Sequence, residues 1–341
     1  MIYFRSDYSQ GAHPEILDAL VKSNDVHTDG YGLDPLSDEA REIIKEHIGR
    51  PDADIHMMIG GTSTNVTTIA AALRPYEAVV APLTGHIYVH ECGAVERSGH
   101  KVIALPTEDG KLTPAHIDDA WLLFEDDHTV VPRMLYISNT TEIGTVYSKA
   151  ELVALREACD KHNMYLYMDG ARLGAALTAP GNDLTMKDIA SLVDAFYIGG
   201  TKNGAMIGEV AILLNEEIAD HYRWMIKQNC AMLAKGRLVG VQFTKLLEGG
   251  DNSLFYEIGR HMNLMARKLK EGIEAAGYGF SGQSVTNQIF PILPKSLIEK
   301  LKENFFFYEW APYDEDNAVI RLVTGFGTTE AEVNAFIAAL R

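Results

Sequence analysis

The sequence predicts an α/β protein, with a large, mostly parallel sheet domain over residues 1–247 followed by a small C-terminal α/β domain over residues 248–341. Three observations predict it. Short apolar runs of strand character alternate with longer stretches of helical periodicity along most of the chain. The runs are apolar throughout, as strands covered on both faces are. The polar, glycine-rich stretch LEGGDNS (247–253) then separates this array from a shorter α/β tail.

In chain order the strand candidates are HMMIG (56–60), AVVAP (78–82), KVIAL (101–105), MLYIS (134–138), YLYMD (165–169), AFYIG (195–199) and EVAILL (209–214), all read as parallel-type strands. Between them, residues 148–162 carry Leu152, Val153, Leu155 and Ala158 at helical spacing, with Ser148 as N-cap and Glu151 completing a capping box. Further helices are expected after Gly61, Pro114 and Thr185, and a long helical stretch from Ala219 to Leu247. The tail reads as a helix, two strands around Gln288–Leu293 and Val319–Thr324, and a last helix, TTEAEVNAFIAAL (328–340), capped by Thr328.

Composition excludes several classes of function. With 30 Lys+Arg against 47 Asp+Glu the net charge is −17, the opposite of the clustered positive charge that neutralises nucleic-acid phosphates. Cys92, Cys159 and Cys230 stand far apart with no CxxC spacing, so neither a disulfide framework nor a metal site is expected. The N-terminus MIYFRSDYSQ places charge where a signal peptide needs apolar residues. No apolar run approaches the roughly 18 residues of a membrane helix. A cytoplasmic protein with no nucleic-acid or membrane partner is the expectation.

Three segments carry chemistry. GGTSTN (60–65) follows a strand and opens a helix, so backbone N–H groups, the dipole end and three hydroxyls together suit a phosphate; a tight turn with no ligand is the alternative. YMDGAR (167–172) sets Asp169 at the C-terminal end of a strand, where open α/β sheets bind ligands and where a carboxylate holds a pyridine nitrogen protonated. Asp169 as a helix cap paired with Arg172 is the competing reading. YIGGTKNGAMIGEVAI (197–212) puts Lys202 in a glycine-rich turn near a dry crevice, where desolvation makes an amine nucleophilic and Gly199, Gly200 and Gly204 leave room for a bulky adduct. A solvated loop lysine is the alternative there.

The order of these segments, with FRSD (4–7), YGLDP (31–35), HIYVHECGA (86–94), TNQIF (286–290) and RLVT (321–324), resembles the threonine aldolase and aromatic amino acid β-eliminating lyase family of pyridoxal-phosphate enzymes, most of all its phenylserine-aldolase-like branch. The resemblance implies the aspartate aminotransferase fold and pyridoxal 5′-phosphate as cofactor. It implies cleavage of the Cα–Cβ bond of a β-hydroxy-α-amino acid of threonine, allo-threonine or phenylserine type, giving glycine and an aldehyde. It makes Lys202 the Schiff-base lysine, Asp169 the partner of the ring nitrogen, and His86 the group stacked on the ring and able to relay a proton. Gly61, Thr62 and Asn65 hold the phosphate, Ser6 and Arg321 take the substrate carboxylate, and Arg172 assists at both cofactor and substrate. Tyr31 is expected as a lid and Lys235 as a phosphate contact across a subunit interface, in a homodimer or tetramer with shared active sites. One departure stands out: many relatives carry Asn-Thr-His-Asn where this chain reads Asn139-Thr140-Thr141-Glu142, which leaves the base for the β-hydroxyl unassigned between His86 and an ordered water.

Other readings make distinct expectations. β-Elimination or racemisation would use the same scaffold. A Rossmann oxidoreductase needs the GxGxxG that is missing here. A non-catalytic scaffold predicts that Lys202, Asp169 or Arg321 be replaced, and all three are present.

Overall fold

The computed structural model describes residues 1–123 and 127–340. Its strands are β1 (Ile2–Tyr3), β2 (Asp54–Met58), β3 (Glu77–Pro82), β4 (Lys101–Leu105), β5 (Val131–Ser138), β6 (Tyr165–Asp169), β7 (Ala195–Gly199) and β8 (Glu209–Leu213), then β9 (Gln288–Ile289), β10 (Ile292–Pro294), β11 (Phe305–Phe306), β12 (Tyr308–Pro312) and β13 (Asn317–Val323). Seven of them form one sheet in the order β2-β8-β7-β6-β5-β3-β4. From β7 to β4 every pairing is parallel.

The two-residue period of the strands divides the core into two layers. Leu135, Ile137, Leu166 and Met168 face one layer, and Met134, Tyr136, Tyr165 and Tyr167 face the other. Helices cover both faces: Lys149–Lys161 and Arg237–Leu247 contribute to the first layer, Gly61–Ala72 and Tyr222–Gln228 to the second. The capping box at Ser148 is present, with Ser148 N donating to Glu151 Oε2 at 2.8 Å. Burial on both sides explains why the strands read as unbroken apolar runs. Among the described residues no helix is long and apolar enough to cross a membrane.

β9, β10, β12 and β13 build a smaller sheet, over a third core cluster that holds Met265, Leu269, Ile320 and Phe336. The N-terminus joins this cluster: β1 pairs with β11 and Phe4 is fully buried there. The chain start therefore lies against the C-terminal part, which brings residues 5–8 beside the large sheet's cleft.

Four local expectations are corrected. β8 runs antiparallel to both neighbours, because a strand buried on both faces shows the same apolar run in either direction. The stretch from Ala219 to Leu247 is interrupted, with helices at Tyr222–Gln228 and Arg237–Leu247 and Cys230 between them at φ 59°. Thr329, not Thr328, caps the last helix, since only Thr329 has a glutamate three residues on: Glu332 N donates to its Oγ1 at 3.3 Å, and Thr329 N donates to Glu332 Oε2 at 2.8 Å. β12 was not anticipated as a separate strand; its YEWAP sequence is only partly buried and ends in proline.

Candidate active site

The C-terminal ends of β5, β6 and β7 and the start of helix Gly61–Ala72 surround two adjoining cavities of about 340 and 450 Å³. Ligands of open α/β sheets bind at this edge. Gly60, Gly61, Thr62 and Asp169 line the first; His90, Tyr308, Trp310 and Arg321 line the second. Tyr8, His86, Glu142, Arg172 and Lys202 line both.

Asp169 ends β6 fully enclosed by donors. Tyr136 Oη (2.6 Å) and Asn65 Nδ2 (3.1 Å) donate to its Oδ2; Tyr197 Oη (2.5 Å) and Ala171 N (2.9 Å) donate to its Oδ1. Burial pushes its carboxyl up, but the His86 charge and the Tyr136 and Tyr197 hydroxyls outweigh it and hold Asp169 below the ordinary carboxylate range. Two glycines make this arrangement possible. A Cβ on Gly61 would lie 3.0 Å from the Tyr197 hydroxyl, and one on Gly170 would lie 1.8 Å from Tyr197 O. Asn65 is thereby committed to Asp169 and to Glu91 Oε1, at 2.8 Å, rather than to the helix start.

Lys202 sits in the turn between β7 and β8, with Gly204 at φ 90° shaping the backbone. Its Nζ lies 6.0 Å from the centre of the Tyr8 ring. Burial and then the Arg172 charge lower the Lys202 ammonium, against Asp7, Asp169 and Glu209, so the neutral amine is more accessible than on a surface lysine. Glu209 anchors the turn through Gly200 N at 2.7 Å, and burial raises its own carboxyl to about 7.

Arg172 does not pair with Asp169. Its Nε and Nη2 grip Asp7 at 2.7 and 3.0 Å, and Asn287 Nδ2 adds a donor to Asp7 at 2.9 Å. Burial raises the Asp7 carboxyl, while the Arg172 and Lys202 charges bring it below its usual value. Asp7 belongs to the FRSD segment, so the signal was in the motif, one residue past the serine selected from it.

At the helix start, Gly60 is an N-cap with no side chain to satisfy the first N–H groups, and Ser63 and Thr64 turn their hydroxyls back onto Gly60 O at 2.8 and 2.9 Å. Gly61 and Thr62 face the cavity. Such an uncapped start attracts an anion. His86 Nδ1 lies 2.7 Å from buried Glu91 Oε1, which fixes the proton on Nδ1 and orients the ring along the cleft. Glu142 receives His86 N at 3.0 Å and Ser138 Oγ at 2.8 Å on Oε1. Thr141 is buried away from the cavities, with its hydroxyl 2.7 Å from that of Thr145.

Arg321, on β13, lies with its guanidinium carbon 5.0 Å from the rings of both Tyr308 and Trp310. Among the described residues no carboxylate lies within ion-pair distance of it, and its Nε is buried without a hydrogen-bond partner. Ser6 is not in this cleft: its hydroxyl bonds Ser9 Oγ at 2.8 Å and lines a different cavity with Gly325 and Thr328. Tyr31, 48% exposed, and Lys235, also exposed, line neither active-site cavity but lie on adjacent segments, Tyr31 N donating to Ala234 O at 2.9 Å. The aromatic wall, Glu91, Glu142 and Glu209 escaped sequence reasoning: the wall rests on β12, which the sequence does not mark, and the three glutamates stand inside the segments 86–94, 139–142 and 197–212, where no local pattern tells a cleft carboxylate from a surface one.

Comparison with known proteins gives this arrangement its relatives. A solved structure of Leishmania major threonine aldolase matches with a TM-score of 0.98 at 46% identity, covering 100% of this chain and 98% of that one. The low specificity L-threonine aldolase of Pseudomonas aeruginosa is 31% identical over 302 residues, 88% of this chain and 86% of the relative. A Thermus thermophilus aspartate aminotransferase structure, at 15% identity and a TM-score of 0.72 over 99% of this chain and 90% of that one, shares the fold. The family model of the beta-eliminating lyases matches residues 3–294, so the chain, with its aspartate aminotransferase fold, belongs to the beta-eliminating lyase family.

Proposed function

We propose that the protein is a pyridoxal-phosphate-dependent lyase that cleaves β-hydroxy-α-amino acids to glycine and an aldehyde, as a low-specificity threonine aldolase. The observation that carries this reading is one cleft holding Lys202, Asp169 and an Arg321 with no carboxylate partner among the described residues. The relatives named threonine aldolase support the substrate class.

The residues present fit the cofactor. The uncapped helix start at Gly61 and Thr62 suits its phosphate, a depressed Lys202 suits its aldehyde, and an Asp169 held ionised suits a protonated ring nitrogen. When bound, pyridoxal phosphate supplies an electron sink for the pair left on Cα as the bond to Cβ breaks. Asp169 keeps that sink cationic. His86, oriented by Glu91, lines both cavities and would form the wall beside the bound cofactor. Arg321 takes the substrate carboxylate through its planar fork, its Nε having no other partner among the described residues. Arg172, locked by Asp7, adds positive potential and has Nη1 left for a ligand. Lys202 moves the proton at Cα.

The purified holoenzyme should absorb at the violet edge of the visible and release glycine from threonine, allo-threonine or phenylserine. Borohydride should bleach it and leave the reduced cofactor on Lys202 by mass spectrometry. A label on Lys227 or Lys235, or no glycine from any of the three, would overturn the assignment.

The same reading includes a homodimer or tetramer with shared sites, in a cytoplasmic enzyme. The exposed Tyr31 and Lys235 segments, side by side and away from their own cleft, support it. Inactive Lys202→Ala protein reassociated with inactive Lys235→Glu protein should regain activity in hybrid assemblies. Hybrids that assemble yet stay dead would remove the claim.

A further inference from the structure

We propose that Glu142 is the catalytic base that takes the proton of the substrate's β-hydroxyl, a role that deepens the lyase reading above and rests on it. Glu142 lies at the junction of the cofactor-side and substrate-side cavities, where a bond next to Cα must break. The residues that share this position are otherwise committed. Lys202 serves the cofactor and Cα, and Arg172 is permanently charged and gripped by Asp7. His86 donates Nδ1 to Glu91, keeps Nε2 as the rival acceptor and is engaged as the wall beside the bound cofactor, and Tyr8 brings a phenol hydroxyl, itself a donor. Thr141 faces away and is no base.

The two oxygens of Glu142 are unequal. Oε1 accepts from His86 N and Ser138 Oγ, whereas Oε2 is buried with no hydrogen-bond partner among the described residues. A buried acceptor without a donor is costly, and an arriving hydroxyl is the donor that it lacks. The Ser138 and His86 bonds hold the carboxylate through Oε1 in the wall shared by the two cavities and leave Oε2 without a donor. Its charged and titratable neighbours are Tyr136 from β5, Tyr147 beyond the end of that strand, Asp169 and Arg172 at the end of β6, His86, which bonds it through its backbone N, and Lys202 from the turn. Burial, reinforced by the Asp169 charge and opposed by Ser138 and His86, raises the Glu142 carboxyl, which moves its proton exchange toward the working pH.

The step balances without any further reagent. Glu142 takes the hydroxyl proton and the O–H pair becomes the second bond of the aldehyde carbonyl. The Cα–Cβ bond breaks with its pair left on Cα and drawn toward the bound pyridoxal phosphate. A proton then adds at Cα to give glycine, and Glu142 releases the proton it took.

The test compares two reactions of the holoenzyme that differ only in the need for a hydroxyl proton. In Glu142→Gln, kcat/KM for cleavage of threonine or phenylserine should fall by about 10²–10⁴. Exchange of the glycine α-proton in D₂O should be retained, and the limb of the cleavage pH profile that belongs to the base should vanish. Infrared difference spectra of the apoprotein should show a protonated carboxyl in the native chain that titrates above the usual carboxylate range and is missing in Glu142→Gln. Formate should restore part of the cleavage in Glu142→Ala without altering exchange. Native-like cleavage in Glu142→Gln, parallel loss of cleavage and exchange, or a folded Glu142→Ala deaf to formate would each overturn the proposal. A native enzyme that binds the cofactor and exchanges glycine, yet cleaves no β-hydroxy amino acid, would instead overturn the functional reading beneath it.

Discussion

Asp169 ends β6 and Glu142 follows the neighbouring β5; both line the same cleft, Asp169 buried and Glu142 half-buried with its Oε2 enclosed, yet the protein drives their protonation in opposite directions. Asp169 receives four donors on two oxygens and is held ionised. Glu142 receives two on one oxygen, keeps the other bare and is pushed up. Burial alone would raise both, so the difference lies in the charges and donors around them: the His86 charge and then the tyrosine hydroxyls lower Asp169, whereas the Asp169 charge adds to the rise of Glu142. Two carboxyls pushed apart in this way mark a division of labour, one a fixed charge and the other a group that exchanges protons.

The largest effect expected from breaking this contrast is Asp169→Asn. The amide cannot carry the charge, and whichever way it turns, its NH₂ meets hydroxyl or N–H donors. Cleavage should fall by about 10²–10³ in kcat, the scale of removing a preorganised electrostatic partner. Stability should fall by about 1–3 kcal/mol, because donors are left facing a donor. Steady-state kinetics and urea unfolding measure the two. Native-like turnover would mean that the ring nitrogen does not depend on this carboxylate.

Which parts of this contrast can be read from sequence follows from how local each one is. Lys202 in its glycine-rich turn, Asp169 at a strand end and the turn at 60–62 are signalled by their own neighbours, and the apolar runs that place them are visible because both faces of the sheet are covered. The partners are not local. Asp7 meets Arg172 across 165 residues, and Asn65 meets Asp169 across 104. Nothing in the segment Asn139–Glu142 distinguishes a buried Thr141 from a cleft-facing Glu142; that outcome depends on Thr145 capturing the threonine hydroxyl while Ser138 and His86 capture the glutamate. The reversed β8 was unreadable for a related reason, since covered strands look alike in both directions.

A smaller and sharper effect comes from loosening the Asp169 side alone with Tyr136→Phe. The substitution removes one donor to Oδ2 and keeps the ring that packs in the second core layer. A hydrogen bond to a charged group stabilises by about 1.5–3 kcal/mol, so unfolding at neutral pH should show a loss of that size. The pH dependence tells a charge-assisted bond from mere packing. The folded Asp169 pKa lies below the unfolded value of about 3.9, so its contribution is fully present above the unfolded value and is lost as pH falls through the folded one. Tyr136→Phe moves the folded pKa back up, which shrinks the contribution. The stability difference between native and variant should therefore be largest at neutral pH and fade on acidification. A difference that persists unchanged into acid would assign the hydroxyl to packing and leave the other three donors to hold Asp169 ionised.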